Sequence, residues 1–227
     1  MDELVRLERV YGGHLGVAAK DLNTGELIGY NAAERFPTAS AIKFPIMTTF
    51  FHLVDKKVVD PFMKVVLTKE DKKQGSGLLQ TLSDGATITL LDAVTLMITV
   101  SDNTAANLVL DRLADSHEAR MKVVNDYMVA NGLKNTRLLN RLYSRKTKQL
   151  SPEAIRYGIG VSTPDDMVML LETLYNKTLG DSASCNSMLE IMKQQVYREM
   201  IPRFLPETEG KYLEVANKTG SINETKV

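Results

Sequence analysis

Residues 40–54 read SAIKFPIMTTFFHLV, a run apolar on nearly every side that nevertheless opens with a serine and a lysine three positions apart. The pattern predicts a largely buried helix over this stretch, because a helix hydrophobic all round must be wrapped by other elements. Pro45 removes a backbone donor and is tolerated only in a first turn or at a kink. On a helix Ser40 and Lys43 share a face. A serine hydroxyl is a weak nucleophile at neutral pH and needs a base beside it. A lysine can serve when burial and neighbouring cations depress its pKa. The N-terminal end of a helix also offers unpaired N–H groups, and the Ser40 N–H could form half of an oxyanion site. The plain alternative is an N-cap serine followed by a solvated lysine.

Outward from this run, Leu15 to Asn31 reads as a β-hairpin: two apolar stretches flank the turn sequence Asp21-Leu-Asn-Thr-Gly25. Thr89-Leu-Leu-Asp92 reads as a helix start with an acidic third position. Leu91, Val94, Met97 and Ile98 then form one apolar face. Ser101-Asp102-Asn103 interrupts the pattern before helical spacing resumes over Ala105 to Leu113. Further helices are expected over Glu118 to Asn131, Thr163 to Tyr175 with Pro164 in its first turn, and Ser187 to Arg198. Residues 135–162 read as a basic loop, and Tyr212 to Gly220 as a strand. Strands at both chain ends with helices between them predict an α+β fold. The expectation is one domain over 1–227, with an antiparallel sheet lobe (about 1–38 and 190–227) and an inserted helical lobe (about 39–189).

Composition narrows the possibilities. The 227 residues are 44% hydrophobic and 25% charged, enough for a substantial core. Lys plus Arg and Asp plus Glu both count 28, so no net field favours nucleic acid or an anionic membrane. No apolar run approaches the ~18 residues a bilayer span requires. Met1-Asp2-Glu3 is the opposite of a basic leader, so the chain reads either as a mature domain with an added Met or as a cytoplasmic protein. The single cysteine, Cys185, excludes an internal disulfide. His14, His52 and His117 show no metal-ligand spacing. The basic 141–148 segment lacks the aromatic platform of a nucleic-acid site.

Two further motifs follow Ser40-x-x-Lys43 in order: Ser101-Asp102-Asn103 and Lys218-Thr219-Gly220. Each alone is weak, since Ser-Asp-Asn makes an ordinary turn and Lys-Thr-Gly an ordinary strand end. Together they resemble the signature of serine β-lactamases and penicillin-binding proteins, closest to class A. That resemblance implies Ser40 as nucleophile, Lys43 as its base and Ser101 as a proton relay, with Asn103 positioning both substrate and lysine. It also implies that Lys218 and Thr219 bind a substrate carboxylate, while the N–H groups of Ser40 and Ser221 hold the oxyanion. Asp102 is expected to fix the loop through backbone hydrogen bonds. Residues 75–79 could line the cleft rim. The implied substrate is a β-lactam or a peptidoglycan-like peptide, with no metal or organic cofactor, and the implied compartment is periplasmic or extracellular.

The sequence departs from the family pattern in two places. Class A enzymes carry Glu-x-x-Leu-Asn in the loop between the second and third motifs, and its glutamate activates the water that releases the acyl group. Here that position falls near Leu142-Tyr143-Ser144, and the only carboxylate of the loop, Glu153, reads as a helix-starting residue after Ser151-Pro152. Loss of a general base costs ~10²–10⁴ in rate, so fast acylation with slow release is expected. The family sheet also continues past the third motif with two strands and a helix, whereas this sequence ends at Val227. A truncated sheet is therefore expected, in a monomer unless a partner supplies the strands. Within this chemistry the alternatives are a D-Ala-D-Ala peptidase or esterase; outside it, a non-catalytic penicillin-recognising or interaction module.

Overall fold

A computed structural model describes residues 2–143, 148–205, 213–222 and 225–227. An N-terminal helix that sequence reading did not identify, α1 (Asp2–Tyr11), opens the chain and buries none of its residues. It is tied down through Glu8, which accepts from the Leu15 N–H at 2.8 Å and the Tyr30 hydroxyl at 2.6 Å. The expected hairpin follows as β1 (Val17–Lys20) and β2 (Leu27–Tyr30), antiparallel with Val17 opposite Tyr30. Asp21 closes its turn by accepting the N–H groups of Asn23 and Thr24, and Gly25 takes a positive φ of 78°.

After β3 (Phe36–Pro37), a 3₁₀ turn over Ala39–Ile42 leads into α2 (Lys43–Asp55). Lys43 is therefore the first α-helical residue, and Pro45 sits in the first turn, where its missing donor costs nothing. Every residue from Lys43 to Phe51 is buried. The buried Thr48 and Thr49 hydroxyls are satisfied by donating to the Pro45 carbonyl, each at 2.9 Å. β4 (Lys64–Val66) and β5 (Thr87–Thr89) form a two-stranded ladder.

Helices α3 (Leu90–Thr99), α4 (Asn103–Leu110) and α5 (His117–Ala130) then pack around α2. The Thr89 signal is realised as a reciprocal capping box with Asp92. α4 starts two residues earlier than expected because Asp102 serves as its N-cap, accepting from the Ala105 N–H at 2.8 Å.

Among its described residues, the 135–162 segment has more regular structure than its basic, loop-like sequence predicts. It holds β6 (Arg137–Leu138), α6 (Pro152–Tyr157) and β7 (Gly160–Ser162), and β7 pairs with both β3 and β6. Strands of two or three residues carry too little pattern to be read from sequence. The buried contacts that fix them are Thr136 Oγ1 to Ser162 Oγ at 2.8 Å and Thr136 Oγ1 to Asp166 Oδ2 at 2.9 Å.

After α7 (Pro164–Tyr175), the helix expected from Ser187 lies instead at α8 (Ser182–Lys193). Apart from Ala183, its first residues (Ser-Ala-Ser-Cys-Asn-Ser) are weak helix formers, but the start of the helix docks on α2: Asp55 accepts from the Asp181 N–H and the Ser184 hydroxyl. The expected lobe boundary at residue 190 falls within this helix. Beyond it, Gln195 Nε2 and the Val196 N–H donate to the Ile98 and Thr99 carbonyls, and a 3₁₀ turn follows at Ile201–Phe204.

The α+β class holds, with small antiparallel sheets among helices. The expected strand over 212–220 does not: residues 213–220 pair with no strand, and the ladder there is β8 (Ser221–Ile222) with β9 (Thr225–Lys226). Among the described residues the two chain ends therefore share no sheet. Next to this ladder, Gly220 and Val227 exchange N–H to carbonyl hydrogen bonds at 2.7 Å each way. No described helix is long and apolar enough to cross a membrane. Thr89→Ala removes one arm of the capping box and is expected to lower stability by about 1 kcal/mol, read as a lower urea midpoint with an unchanged slope.

Candidate active site

Three separate segments bring the motif residues together. The turn before α2 supplies Ser40, and the first residue of α2 is Lys43. The junction between α3 and α4 supplies Ser101 to Asn103, and the segment before β8 supplies Lys218 and Thr219. Lys43 is fully buried, and its Nζ is ringed by oxygens: Ser101 O at 2.6 Å, Asn103 Oδ1 at 2.8 Å, Ser101 Oγ at 3.1 Å and Ser40 Oγ at 3.2 Å. An ammonium has three protons for these four acceptors. A neutral amine donates two and turns its lone pair to a hydroxyl. Burial drives the Lys43 pKa far below the ordinary lysine value, and repulsion from Lys218 adds to the effect against a smaller opposing pull from Asp102. The sequence requirement for a depressed lysine is therefore met by geometry.

Lys218 approaches from the other side. Its Nζ donates to Ser101 Oγ at 3.1 Å and to the Thr219 carbonyl at 2.6 Å, and burial lowers its pKa to about 7. The Ser101 hydroxyl thus lies 3.1 Å from both amines and connects them.

Gly220 is where a side chain could not stand. A Cβ there would collide with the Thr38 carbonyl and lie 2.9 Å from the Ala41 N and 3.2 Å from the Ser40 N. This close approach lays the chain entering Ser221 along the backbone of Ser40. Strain collects at the same place. Ala39, directly before Ser40, and Ser101 hold positive φ values of 45° and 54°, a conformation that costs a non-glycine residue of order 1–3 kcal/mol.

Asp102 takes the structural part expected of it. Besides capping α4 it accepts the Leu78 N–H at 2.6 Å and the Leu79 N–H at 2.8 Å. The 74–79 turn is bound further to the motif, as Asn103 Nδ2 donates to the Gln74 carbonyl and the Asn103 N–H to the Ser76 carbonyl. A cleft of about 440 Å³ opens between this turn and the third motif, lined by Ser40, Ser76, Ser101, Thr219 and Ser221. Tyr197, Glu199, Met200 and Lys226 complete its wall. Sequence reading missed these four, because no spacing rule links them to the motifs.

The loop residues fall where the departure from the pattern matters. Asn107, one turn beyond Asn103 on α4, holds Leu142 by both its amide groups: Nδ2 donates to the Leu142 carbonyl at 2.8 Å, and Oδ1 accepts the Leu142 N–H at 3.2 Å. Leu142 itself is buried. Glu153 starts α6, as its Ser-Pro context predicts, and pairs with Arg35 at 3.3 Å and Arg137 at 3.1 Å.

Comparison with known proteins identifies the family. The chain matches the profile of the Beta-lactamase enzyme family over residues 1–227 and belongs to that family. It is 27% identical over 206 residues to β-lactamase CARB-4 of Pseudomonas aeruginosa, an alignment that takes in 88% of this chain and 66% of CARB-4. A crystal structure of a β-lactamase from Sphaerobacter thermophilus superposes with a TM-score of 0.83 at 31% identity, covering 96% of this chain and 77% of that one. A single-residue mutant of PBP-A, solved as an acyl-enzyme complex with penicillin G, superposes with a TM-score of 0.76 at 27% identity, covering 91% and 70%. The chain thus spans just under two thirds of the CARB-4 sequence.

Asp102→Ala would orphan three backbone N–H groups, and it is expected to cost more than about 2 kcal/mol and to speed limited proteolysis within 74–79. Asp102→Asn, which keeps one acceptor oxygen, should cost less in the same denaturation series.

Proposed function

We propose that the protein is an active-site-serine hydrolase that β-lactams acylate on Ser40 and that releases the acyl group slowly. The observation that carries this reading is a buried, pKa-depressed Lys43 amine 3.2 Å from Ser40 Oγ. Ser40 Oγ attacks the lactam carbonyl as its proton passes to neutral Lys43. The carbonyl oxygen, now negative, is held by the N–H groups of Ser40 and Ser221. As the C–N bond breaks, the proton moves through Ser101 Oγ to the leaving nitrogen. Lys218 and Thr219 hold the substrate carboxylate, and Asn103 positions both the substrate amide and Lys43. The two-lobe division fits this reading, with the cleft between the helical lobe and the segment bearing Lys218.

Release needs an activated water. In the loop where the family's glutamate is expected, Asn107 holds the backbone of the buried Leu142, a residue with no basic atom, and Glu153 is engaged by two arginines. The same acylation apparatus suits a D-Ala-D-Ala peptidase, and the likeness to PBP-A is compatible with that reading. We further propose a monomer acting outside the cytoplasmic membrane, where such substrates are met.

Mass spectrometry after mixing with benzylpenicillin is expected to show one covalent equivalent on Ser40, absent in Ser40→Ala and persisting for many minutes. Rapid multiple turnover of a chromogenic cephalosporin would contradict slow release, and no adduct at millimolar reagent would favour the non-catalytic recognition module. Leu142→Glu is expected to hasten loss of the adduct by ~10²–10⁴.

The pH profile of acylation follows from the two lysines. Lys43 works as a base only when neutral, so the rate falls toward acid. Lys218 binds an anion only when charged, so the rate falls again as pH rises through about 7. Lys218→Met removes the charge that repels the Lys43 proton, and the acid limb is expected to move to higher pH.

A further inference from the structure

The two rims of the cleft are built from different segments and face different parts of a substrate. One is the 74–79 turn, pinned to Asp102 and Asn103. The other is the stretch from Tyr197 to Met200, and its anchors are the neighbours of the other two motifs. The Tyr197 hydroxyl donates to the carbonyl of Val100, the residue before Ser101, at 3.5 Å, and the Tyr197 carbonyl accepts from Nδ2 of Asn217, the residue before Lys218, at 3.2 Å. This second rim therefore stands beside the Ser101 hydroxyl and Lys218. In the proposed reaction that is the side of the leaving nitrogen and the substrate anion.

Glu199 is the only carboxylate among the described residues that line the cleft. It is exposed and makes no ion pair with any described residue, although Lys226 lines the same cleft. A carboxylate that lines a cleft without an ion pair to a described residue contributes a local negative potential, attracting cationic groups and opposing anionic ones. Lys218, deeper and half-buried, sets the opposite sign one step further in.

We propose that Glu199 is a specificity-determining residue: it selects, among substrates that acylate Ser40, those carrying a cationic substituent on the leaving-group side of the scissile bond. The inference rests on the acylation reading above. A substrate matching both charges presents its carboxylate to Lys218 and a positive group, farther out, to Glu199.

The test uses two cephalosporins with the same acyl side chain, one bearing a pyridiniummethyl and the other an acetoxymethyl group at the ring carbon next to the carboxylate-bearing one. The quantity read is the ratio of their second-order rate constants for adduct formation on the whole protein. Glu199→Gln is expected to lower the cationic-to-neutral ratio about two- to five-fold, the range of one exposed charge pair, and Glu199→Lys to lower it further. Added salt should lower the ratio in the wild type and leave it flat in Glu199→Gln, a response that a merely structural role for Glu199 would not give. Adducts with an unchanged ratio across the three proteins overturn this proposal and leave the acylation reading standing. No adduct with either compound overturns both.

Discussion

The arrangement depends on one constraint: an amine has been taken wholly out of water and must be satisfied where it sits. Lys43 reaches no solvent, so every proton it carries needs an oxygen, and those oxygens come from Ser40, Ser101 and Asn103. Only α2, the α3–α4 junction and their mutual packing can bring these groups within 3.2 Å of one nitrogen. Removing water has two effects. It makes the charged lysine costly, and it strengthens each remaining polar contact around it. A core built to hold this lysine is therefore already built to hold a base beside a hydroxyl.

The surroundings read as the support such a site needs. Asp102 turns its carboxylate away from Lys43 to three backbone N–H groups, fixing both the start of α4 and the rim turn 74–79. Gly77 in that turn has φ of +115°, and a Cβ there would collide with the Asp102 carboxylate, so the turn lies closed against its anchor. Ala39 and Ser101 are held in left-handed conformations by this packing. Residues so placed persist only where their neighbours over-determine them, and both adjoin the reactive hydroxyls.

How much of this was legible in the sequence follows the range of each signal. Capping residues act over three or four positions, and so Thr89 with Asp92, Ser151-Pro152 and Thr163-Pro164 marked their helices correctly. The three motifs named the residues that converge around Lys43 and Ser101, since their identity and order carry the chemistry even where local structure does not. Signals that depend on distant partners were lost. α8 was read five residues late because docking on Asp55, not propensity, sets its start. Leu213 to Ala216 alternate as a strand would, yet they find no strand to pair with. Tyr197 stands at the cleft through hydrogen bonds to Val100 and Asn217, and Glu199 follows two residues on; no spacing rule encodes either.

The paired lysines also limit how protons are shared in the site. Both amines donate to the same Ser101 oxygen at 3.1 Å, and two ammonium groups bridged by one hydroxyl repel each other in a medium that screens poorly. The deeper Lys43 yields its proton first, and Lys218, with a pKa of about 7, keeps the remaining charge near neutrality. This is the division of labour that the proposed reaction requires, with a neutral base beside Ser40 and a cation facing the substrate anion. A carboxylate seated on Lys218 would offset that cation's repulsion and raise the proton affinity of Lys43. Binding of the anion and strengthening of the base then become two effects of one contact, carried through the Ser101 hydroxyl that joins the amines.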